Sequence, residues 1–426
     1  MSEGKGANRP QMVSFGCRLN IWESEVMRSH AEAAGLNNAV IINSCAVTAE
    51  AEKQARQQIR KIKREKPEAR IIVTGCAAQI HPELFAEMPE VAQVIGNHDK
   101  LQADTWQGLR DGLLAPTHVT DMSELREVAS HMLENFSDHT RAFLQVQQGC
   151  DHRCTFCIIP YGRGPSRSVG IGAVIEAARR MLDNGALEIV LTGVDITSWG
   201  GDLPGQPKLG ALVRKILQEL PDLPRLRLSS LDPAEMDSEL MAVLATEKRL
   251  MPHLHLSVQH GSDMILKRMK RRHLARDVQR FVDEARRRRP DVVFGADMIT
   301  GFPTETQADH QASLDLINKA GITHLHVFSY SPREGTPAAK MPQIDRAIIK
   351  ERTAALRALG DQMRAAHCQK RIADTAQLLL EKGNQGHLDC FTKAYLPAGH
   401  ALMPAGHLCD VRVLSMKTDG VEVEII

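Results

Sequence analysis

The sequence is short of three things. Aromatic residues number only three Trp, three Tyr and ten Phe in 426 positions. That argues against a protein reading nucleic acid mainly on stacked aromatic platforms. Net charge is nearly absent, with 53 Lys and Arg against 52 Asp and Glu. No global field steers a polyanion, so a nucleic-acid surface has to be local. Long apolar runs are missing too: nothing approaches the ~18 residues of a membrane helix. Met1 to Pro10 is polar and lacks the apolar core of a signal peptide. These absences predict a cytoplasmic protein with no membrane partner. The length suggests about three domains, and 43% hydrophobic with 25% charged residues excludes a mainly disordered chain.

The chain does contain nine cysteines. A reducing compartment disfavours disulfides, so cysteines there point to metal, cluster or redox chemistry. They fall in three sets: Cys17, Cys45 and Cys76; Cys150, Cys154 and Cys157; and Cys368, Cys390 and Cys409. The last set shares no spacing and reads as structural.

The predicted fold class is α/β, in three domains. Residues 10–115 form the first. Short buried strands at Met12–Phe15, Val40–Ile42, Ile71–Val73 and Val91–Ile95 alternate with helices near 21–34, 49–66 and 82–88. This favours an open parallel sheet. Cys17, Cys45 and Cys76 each stand just past a strand, and open α/β sheets bind ligands at strand carboxyl ends. Free cysteines are often mere core residues, but three at equivalent strand ends favour a shared site. Residues 114–141 read as a connector with one weak helical pattern near 121–135. Residues 140–370 form the second domain. Strands at Ala142–Val146, Glu188–Leu191, Arg225–Leu228, His253–Val258, Val292–Met298 and His324–Phe328 alternate with helices at 170–183, 209–220, 234–246, 262–288 and 305–320. A long helix over 344–370 follows. Six βα units predict a partial (βα)6 barrel, with its site at the strand carboxyl ends. Residues 371–426 break into short alternating segments, a small antiparallel β-barrel of the OB-like kind.

The stretch QQGCDHRCTFCIIPYGRG, residues 147–164, carries the chemistry. Cys150-x3-Cys154-x2-Cys157 follows the first barrel strand. Three thiolates on one loop can hold three irons of a [4Fe–4S] cluster and leave the fourth open. Zinc ribbons use two separated pairs, and no second C-x2-C pair is present.

This motif, placed after the first strand of a βα partial barrel, resembles the radical S-adenosylmethionine (radical SAM) superfamily. The order of domains resembles its methylthiotransferases across essentially the whole chain. Gly16-Cys17-Arg18-Leu19-Asn20 with Glu23-Ser24-Glu25, then Asn43-Ser44-Cys45, then Gly75-Cys76-Ala77-Ala78-Gln79 resemble the family's auxiliary-cluster motifs. The resemblance implies two [4Fe–4S] clusters, one on each cysteine triplet, and S-adenosyl-L-methionine (SAM). It implies SAM contacts from Phe156, from Gly193 and Asp195 in Thr192-Gly193-Val194-Asp195, from Ser229, from Gln259 and from Gly301. Asp195 stands where the superfamily usually has Glu. The C-terminal module resembles the small RNA-binding (TRAM-like) domain of tRNA-modifying enzymes.

Val47-Thr48 after the second cysteine resembles the branch that methylthiolates C2 of N6-threonylcarbamoyladenosine at position 37 of tRNA, in the anticodon stem-loop. The isopentenyladenosine branch places Arg where Thr48 stands, and the ribosomal-protein branch places Gly-Phe where Ala46-Val47 stands. Both remain alternatives, as does a non-catalytic iron–sulfur RNA-binding protein. Two basic blocks offer tRNA contacts. Residues 53–70 carry eight Lys or Arg against two acids, and residues 264–290 carry eleven against three. The C-terminal domain opposes them, with five basic residues against seven acidic. Neither the electron donor nor the sulfur source is encoded in any motif.

Overall fold

A computed structural model describes residues 9–123, 125 and 141–426. It divides into two compact units. One holds residues 1–133, 147–169 and 331–336; the other holds 134–146, 170–330 and 337–426.

The first unit is built on a five-stranded parallel sheet whose spatial order follows the chain. Its strands are Gln11–Ser14, Ala39–Ser44, Arg70–Gly75, Val91–Ile95 and Thr117–His118. The fifth lies within the expected connector, where a two-residue strand is too short to carry an alternation signal. The weak helical pattern near 121–135 lies largely outside the described residues. The central strands, AVIINS and RIIVTG, are buried almost throughout. Ile41, Ile42, Ile71 and Ile72 are fully enclosed, each contributing about 1.5–3 kcal/mol. The helix Ala49–Glu65 is started by Thr48, whose hydroxyl accepts from the Ala51 N–H at 3.2 Å. Glu50 and Glu52 in its first turn, and Lys63 and Arg64 in its last, complement the helix dipole.

The second unit contains the six expected parallel strands, with the third one broken. Arg225–Leu228 pairs with Glu188–Thr192, which pairs with Arg141–Gln145. After Ser229 the short strand Ser230–Leu231 pairs instead with His253–Gln259. Val293–Thr300 and His324–Ser329 complete the run. The expected helix 262–288 is two helices, Asp263–Arg268 and Ala275–Arg288. Lys270 takes a left-handed φ of 57°, and the Arg271 N–H reaches back to the Leu266 carbonyl at 2.8 Å. The second helix restarts at Leu274, capped by Asp277. The helix expected at 234 begins at Ser238 instead, capped by Asp237.

After the long helix Arg346–Lys370 the chain closes a five-stranded barrel over residues 375–425. Cys368 and Cys390 are buried in its core, and Cys409 packs against it. This barrel also supplies the floor of the larger one. Phe391 lies under the Arg227 and Arg141 guanidinium groups at 4.8 and 5.1 Å. It stacks on His253 and His387 at 4.9 and 4.7 Å. Buried Arg227 forks onto buried Glu188 with two bonds of 3.0 Å.

Candidate active site

Each cysteine of the first triplet sits at a strand end of the first unit, and glycines make the approach possible. Gly16 has φ +100°, and a Cβ there would lie 2.9 Å from the Cys45 sulfur. Gly75 has φ +98°, and a Cβ would lie 2.2 Å from the Ser44 carbonyl oxygen. Cys17 caps one helix and Cys76 opens another. Burial, then the neighbouring Cys76, pushes the Cys45 thiol up to about 12, with Cys17 adding to the effect. Both neighbouring sulfurs lie near enough to act on the Cys45 thiol through charge, and the Arg163 cation pulls it the other way.

The residues of the surrounding motifs hold a buried charge network. Glu23 receives Arg163 in a two-pronged bond (2.7 and 3.2 Å) and Lys100 at 2.7 Å. Arg163 also donates to Asn20 and Gln148. Lys100 also donates to Asn43 and Asn97. Asn20 in turn ties down the Phe15 and Ser44 carbonyls. Burial would raise the Glu23 carboxyl, but Arg163 and then Lys100 hold it down to about 2. Among the described residues Arg163 and Lys100 both face this one buried carboxylate, and burial pushes the Lys100 pKa down. Burial disfavours the Arg163 cation; Cys76, Glu23 and Cys17 more than offset this.

The second triplet lies on a loop in the same unit. The Cys150 N–H bonds the Gly164 carbonyl at 3.1 Å, closing the loop. Gly149 has φ +73°, and a Cβ there would meet the Pro165 oxygen at 1.8 Å. Asp151 accepts from the Ser166 N–H at 3.0 Å, and Gln147 donates to Ser166 at 3.0 Å. Cys150, Cys154, Cys157 and Phe156 are all half-buried. The loop's far end is stitched to the first triplet. Asn97 donates to the Gly162 carbonyl at 2.6 Å and to the Cys76 sulfur at 3.6 Å.

Both triplets fit three-cysteine cluster ligation. The first does so most tellingly: Cys45 and Cys76 are buried and Cys17 is exposed, all beside the buried Arg163 cation, a setting that suits an anionic thiolate-ligated iron–sulfur cluster.

The remaining candidates lie in the second unit. Gln145, Thr192 and Ser229 form one row across three adjacent strands, on the face that carries Arg141, Glu188 and Arg227. The Ser229 hydroxyl is buried without a hydrogen-bond partner. Gln145, which the sequence reading missed, is buried with both amide atoms unpaired. Such atoms are costly unless a ligand satisfies them. The visible signal was a polar residue ending the apolar strand RAFLQ. Asp195 already accepts hydroxyls from Thr197 at 2.8 Å and Ser198 at 2.7 Å. Gly193 is half-buried in the turn after its strand. Gln259 has φ +70° at a register shift, and Gly301 has φ +73°. A Cβ on Gly301 would lie 2.5 Å from Ile349. Glu305, from the same motif, accepts from the Gly301 N–H at 2.6 Å and from Arg352 at 3.0 Å, so it shapes the turn.

Comparison with known proteins completes the picture. One family model, the Radical SAM superfamily, matches residues 144–317. A second, described as "Uncharacterized protein family UPF0004", matches residues 9–96. The chain is 48% identical over 383 residues to the threonylcarbamoyladenosine tRNA methylthiotransferase MtaB of Rickettsia prowazekii, spanning 90% of each chain. The chain belongs to the radical SAM methylthiotransferases. It is 34% identical to the Thermotoga maritima protein of the same name, across 96% of this chain and 95% of that one. It is 33% identical to a tRNA-2-methylthio-N(6)-dimethylallyladenosine synthase of Erythrobacter litoralis, across 87% and 86%. The radical SAM methyltransferase TsrM of Kitasatospora setae shares the fold. Its TM-score is 0.57 at 14% identity, covering 78% of this chain and 74% of that one. As a methylthiotransferase the chain is an enzyme that uses SAM and two [4Fe–4S] clusters.

Proposed function

We propose that this methylthiotransferase inserts a methylthio group at C2 of N6-threonylcarbamoyladenosine, at position 37 of the tRNA anticodon stem-loop. The match to the Rickettsia prowazekii enzyme, 48% identity across 90% of both chains, carries the choice of substrate. The dimethylallyl relative stands at 33%.

Cys17, Cys45 and Cys76 would hold one cluster and Cys150, Cys154 and Cys157 the other. When bound, the clusters and SAM supply an electron, a carbon-centred radical and the methylated sulfur, which is what an unactivated aromatic C–H requires. The chain's own part is placement. Arg163 and Lys100 balance the anionic sulfurs, and Arg163 links the second cluster's loop to Glu23. Ser229 and Gln145 offer the barrel's unspent hydrogen bonds to the polar parts of SAM. Phe156, Gly193, Asp195, Gln259 and Gly301 are assigned to the same cofactor.

For tRNA, the helix Ala49–Glu65 presents Lys53, Arg60, Lys61 and Arg64 along one exposed face. That stripe suits phosphates. The second basic block is different. Arg271 is buried on Asp232 at 2.9 Å, Arg286 caps the Ala320 and Gly321 carbonyls, and Arg289 binds the Leu250 carbonyl at 2.6 Å. These three side chains hold the fold together, while Lys267, Lys270, Arg276, Arg280 and Arg287 of the same block remain exposed; we assign the leading tRNA contact to the first block. The C-terminal barrel's Arg412, Lys393 and Lys417 are each paired with an acid. It grips RNA weakly, if at all, by charge. Among the described residues no helix is long and apolar enough to cross a membrane, and we assign the enzyme to the cytoplasm with its tRNA.

Nucleoside mass spectrometry of tRNA from a strain lacking the gene tests this. The 2-methylthio derivative of threonylcarbamoyladenosine should vanish while its precursor persists. Loss of the isopentenyl derivative instead, or a mass change confined to a ribosomal protein, would assign the enzyme to another branch. Purified protein that makes no 5′-deoxyadenosine would be a sensor rather than an enzyme.

A further inference from the structure

The second unit holds a cluster that no cofactor role uses. His255, Asp297 and His326 stand on three neighbouring strands of the partial barrel, with Asp297 directly opposite His326 in register. The His255 Nε2 lies 2.9 Å from one Asp297 carboxylate oxygen, and the His326 Nδ1 lies 3.3 Å from the same oxygen. The two rings lie 4.6 Å apart. Gly295 clears the space: a Cβ there would lie 2.5 Å from the His255 Nδ1 and 3.2 Å from the His253 Nε2. The cluster is graded in exposure, with the His255 side chain 5%, Asp297 23% and His326 55% exposed. It begins inside the barrel and ends at an imidazole open to solvent.

The arginines on this inner face are committed. Arg227 is spent on Glu188, Arg225 on the Gln377 carbonyl at 2.7 Å, and Arg141 on Glu381 at 3.1 Å. His324 is half-buried, and burial pushes its pKa down to about 3, which keeps it neutral. His326 differs in being exposed. Asp297 faces its Nδ1 and fixes the ring, while among the described residues its Nε2 has no protein partner. His255 on the far side of the carboxylate holds Asp297 in place.

The two kinds of tRNA-modifying relative differ in what their substrates carry on N6. A dimethylallyl group is apolar; a threonylcarbamoyl group ends in a carboxylate. A fixed hydrogen-bond donor tells a carboxylate from an alkenyl chain, because a site built to bond a polar group rejects an analogue that lacks it. We propose that His326, oriented by Asp297 and His255, receives the carboxylate of the N6-threonylcarbamoyl group and so determines specificity for it. The proposal rests on the substrate reading above. The reaction at C2 involves no atom of this contact; His326 acts in binding and positioning.

The test compares the cluster-loaded enzyme with its His326→Phe and His326→Gln variants. Two anticodon stem-loops are used, one carrying threonylcarbamoyladenosine at position 37 and one carrying unmodified adenosine there. For the modified stem-loop, Phe should weaken binding about 10- to 100-fold, the cost of losing a charge-assisted bond. The effect should appear in KM more than in kcat. Gln, which keeps a donor but not the fixed ring, should fall between. Binding of the unmodified stem-loop should not change. A methyl ester of the threonyl carboxylate should bind the wild-type enzyme as weakly as the free acid binds the Phe variant. Equal losses on both stem-loops, or no loss, would overturn the proposal. So would a stoichiometric divalent metal other than iron that disappears in the Phe variant, because the cluster would then be a metal site. Failure of the wild-type enzyme to methylthiolate the modified stem-loop at all would instead overturn the substrate reading itself.

Discussion

Arg163 reaches across 140 positions of sequence to fork onto Glu23 at 2.7 and 3.2 Å, and both side chains are buried. One residue follows the second cysteine loop; the other lies six residues after Cys17. The bond is where the two sulfur sites share one electrostatic frame.

Removing Glu23 should therefore be costly. Glu23→Ala leaves Arg163 and Lys100 buried without their carboxylate, a loss of about 3–5 kcal/mol on the scale of broken buried pairs. Iron loading should fall even though every cysteine remains. Denaturant unfolding and iron analysis of the same preparation check both. The folded pKa of about 2 lies below the ordinary 4.5. This stabilisation is therefore complete above about pH 4.5 and drains away as pH falls toward 2.

The two triplets should be separable. Reconstituted protein is expected to hold about eight irons on two four-iron clusters. Changing Cys150, Cys154 and Cys157 to Ala should leave about four and abolish SAM cleavage. Changing Cys17, Cys45 and Cys76 should also leave about four but spare 5′-deoxyadenosine formation while ending thiolation. Full iron content in either variant would refute two-cluster ligation.

Gln145 should show opposite effects on stability and binding. Gln145→Leu removes two buried unpaired atoms, so unliganded protein should gain about 1 kcal/mol. SAM affinity should fall about tenfold, reflecting one lost net hydrogen bond. Equilibrium dialysis and thermal unfolding, run side by side, would expose a purely structural role as a stability change with no binding change.

The barrel floor predicts an acid-sensitive fold. Burial holds His324 at about 3 and His367 at about 4, below the ordinary 6.5. Each is neutral when folded and charges on unfolding. Their contribution is complete above pH 6.5 and is lost at up to about 1.4 kcal/mol per group per pH unit below it. Urea midpoints at pH 7.5 and 5.5 should differ, and His324→Phe should reduce the difference.

On the RNA side, Arg60→Glu with Arg64→Glu should weaken tRNA binding and flatten its salt dependence, by about one slope unit per lost phosphate contact. Reversing Arg271 should instead destabilise the fold through Asp232. A flat response at Arg60 and Arg64 would move the tRNA surface elsewhere.

Much of this was readable from the chain. Strands of the sheet and barrel announce themselves as apolar runs, and the strand-end positions of Cys17, Cys45 and Cys76 follow from them. What stayed hidden depends on distant partners. Lys100 reads as a surface lysine, and only the fold brings Glu23 and Arg163 to it. The basic run near Arg271 resembles a nucleic-acid patch because spacing does not reveal that Asp232 lies opposite. The break at Lys270 is silent because a left-handed residue other than Gly or Asn carries no signature. The His255, Asp297 and His326 cluster is invisible for the same reason as any parallel-sheet contact: its members are some thirty to forty residues apart.

Phe391 gives the C-terminal barrel a structural occupation. A module merely tethered to its neighbour could be exchanged freely between enzymes with different substrates. This one inserts a ring between Arg227, Arg141 and His253, so it is the stopper of the larger barrel. A chimera joining this barrel to another family member's C-terminal module must carry a matching aromatic, or the Arg227–Glu188 pair opens to water. Exchange of C-terminal modules within the family is therefore restrained by a hydrophobic keystone at the foot of the larger barrel.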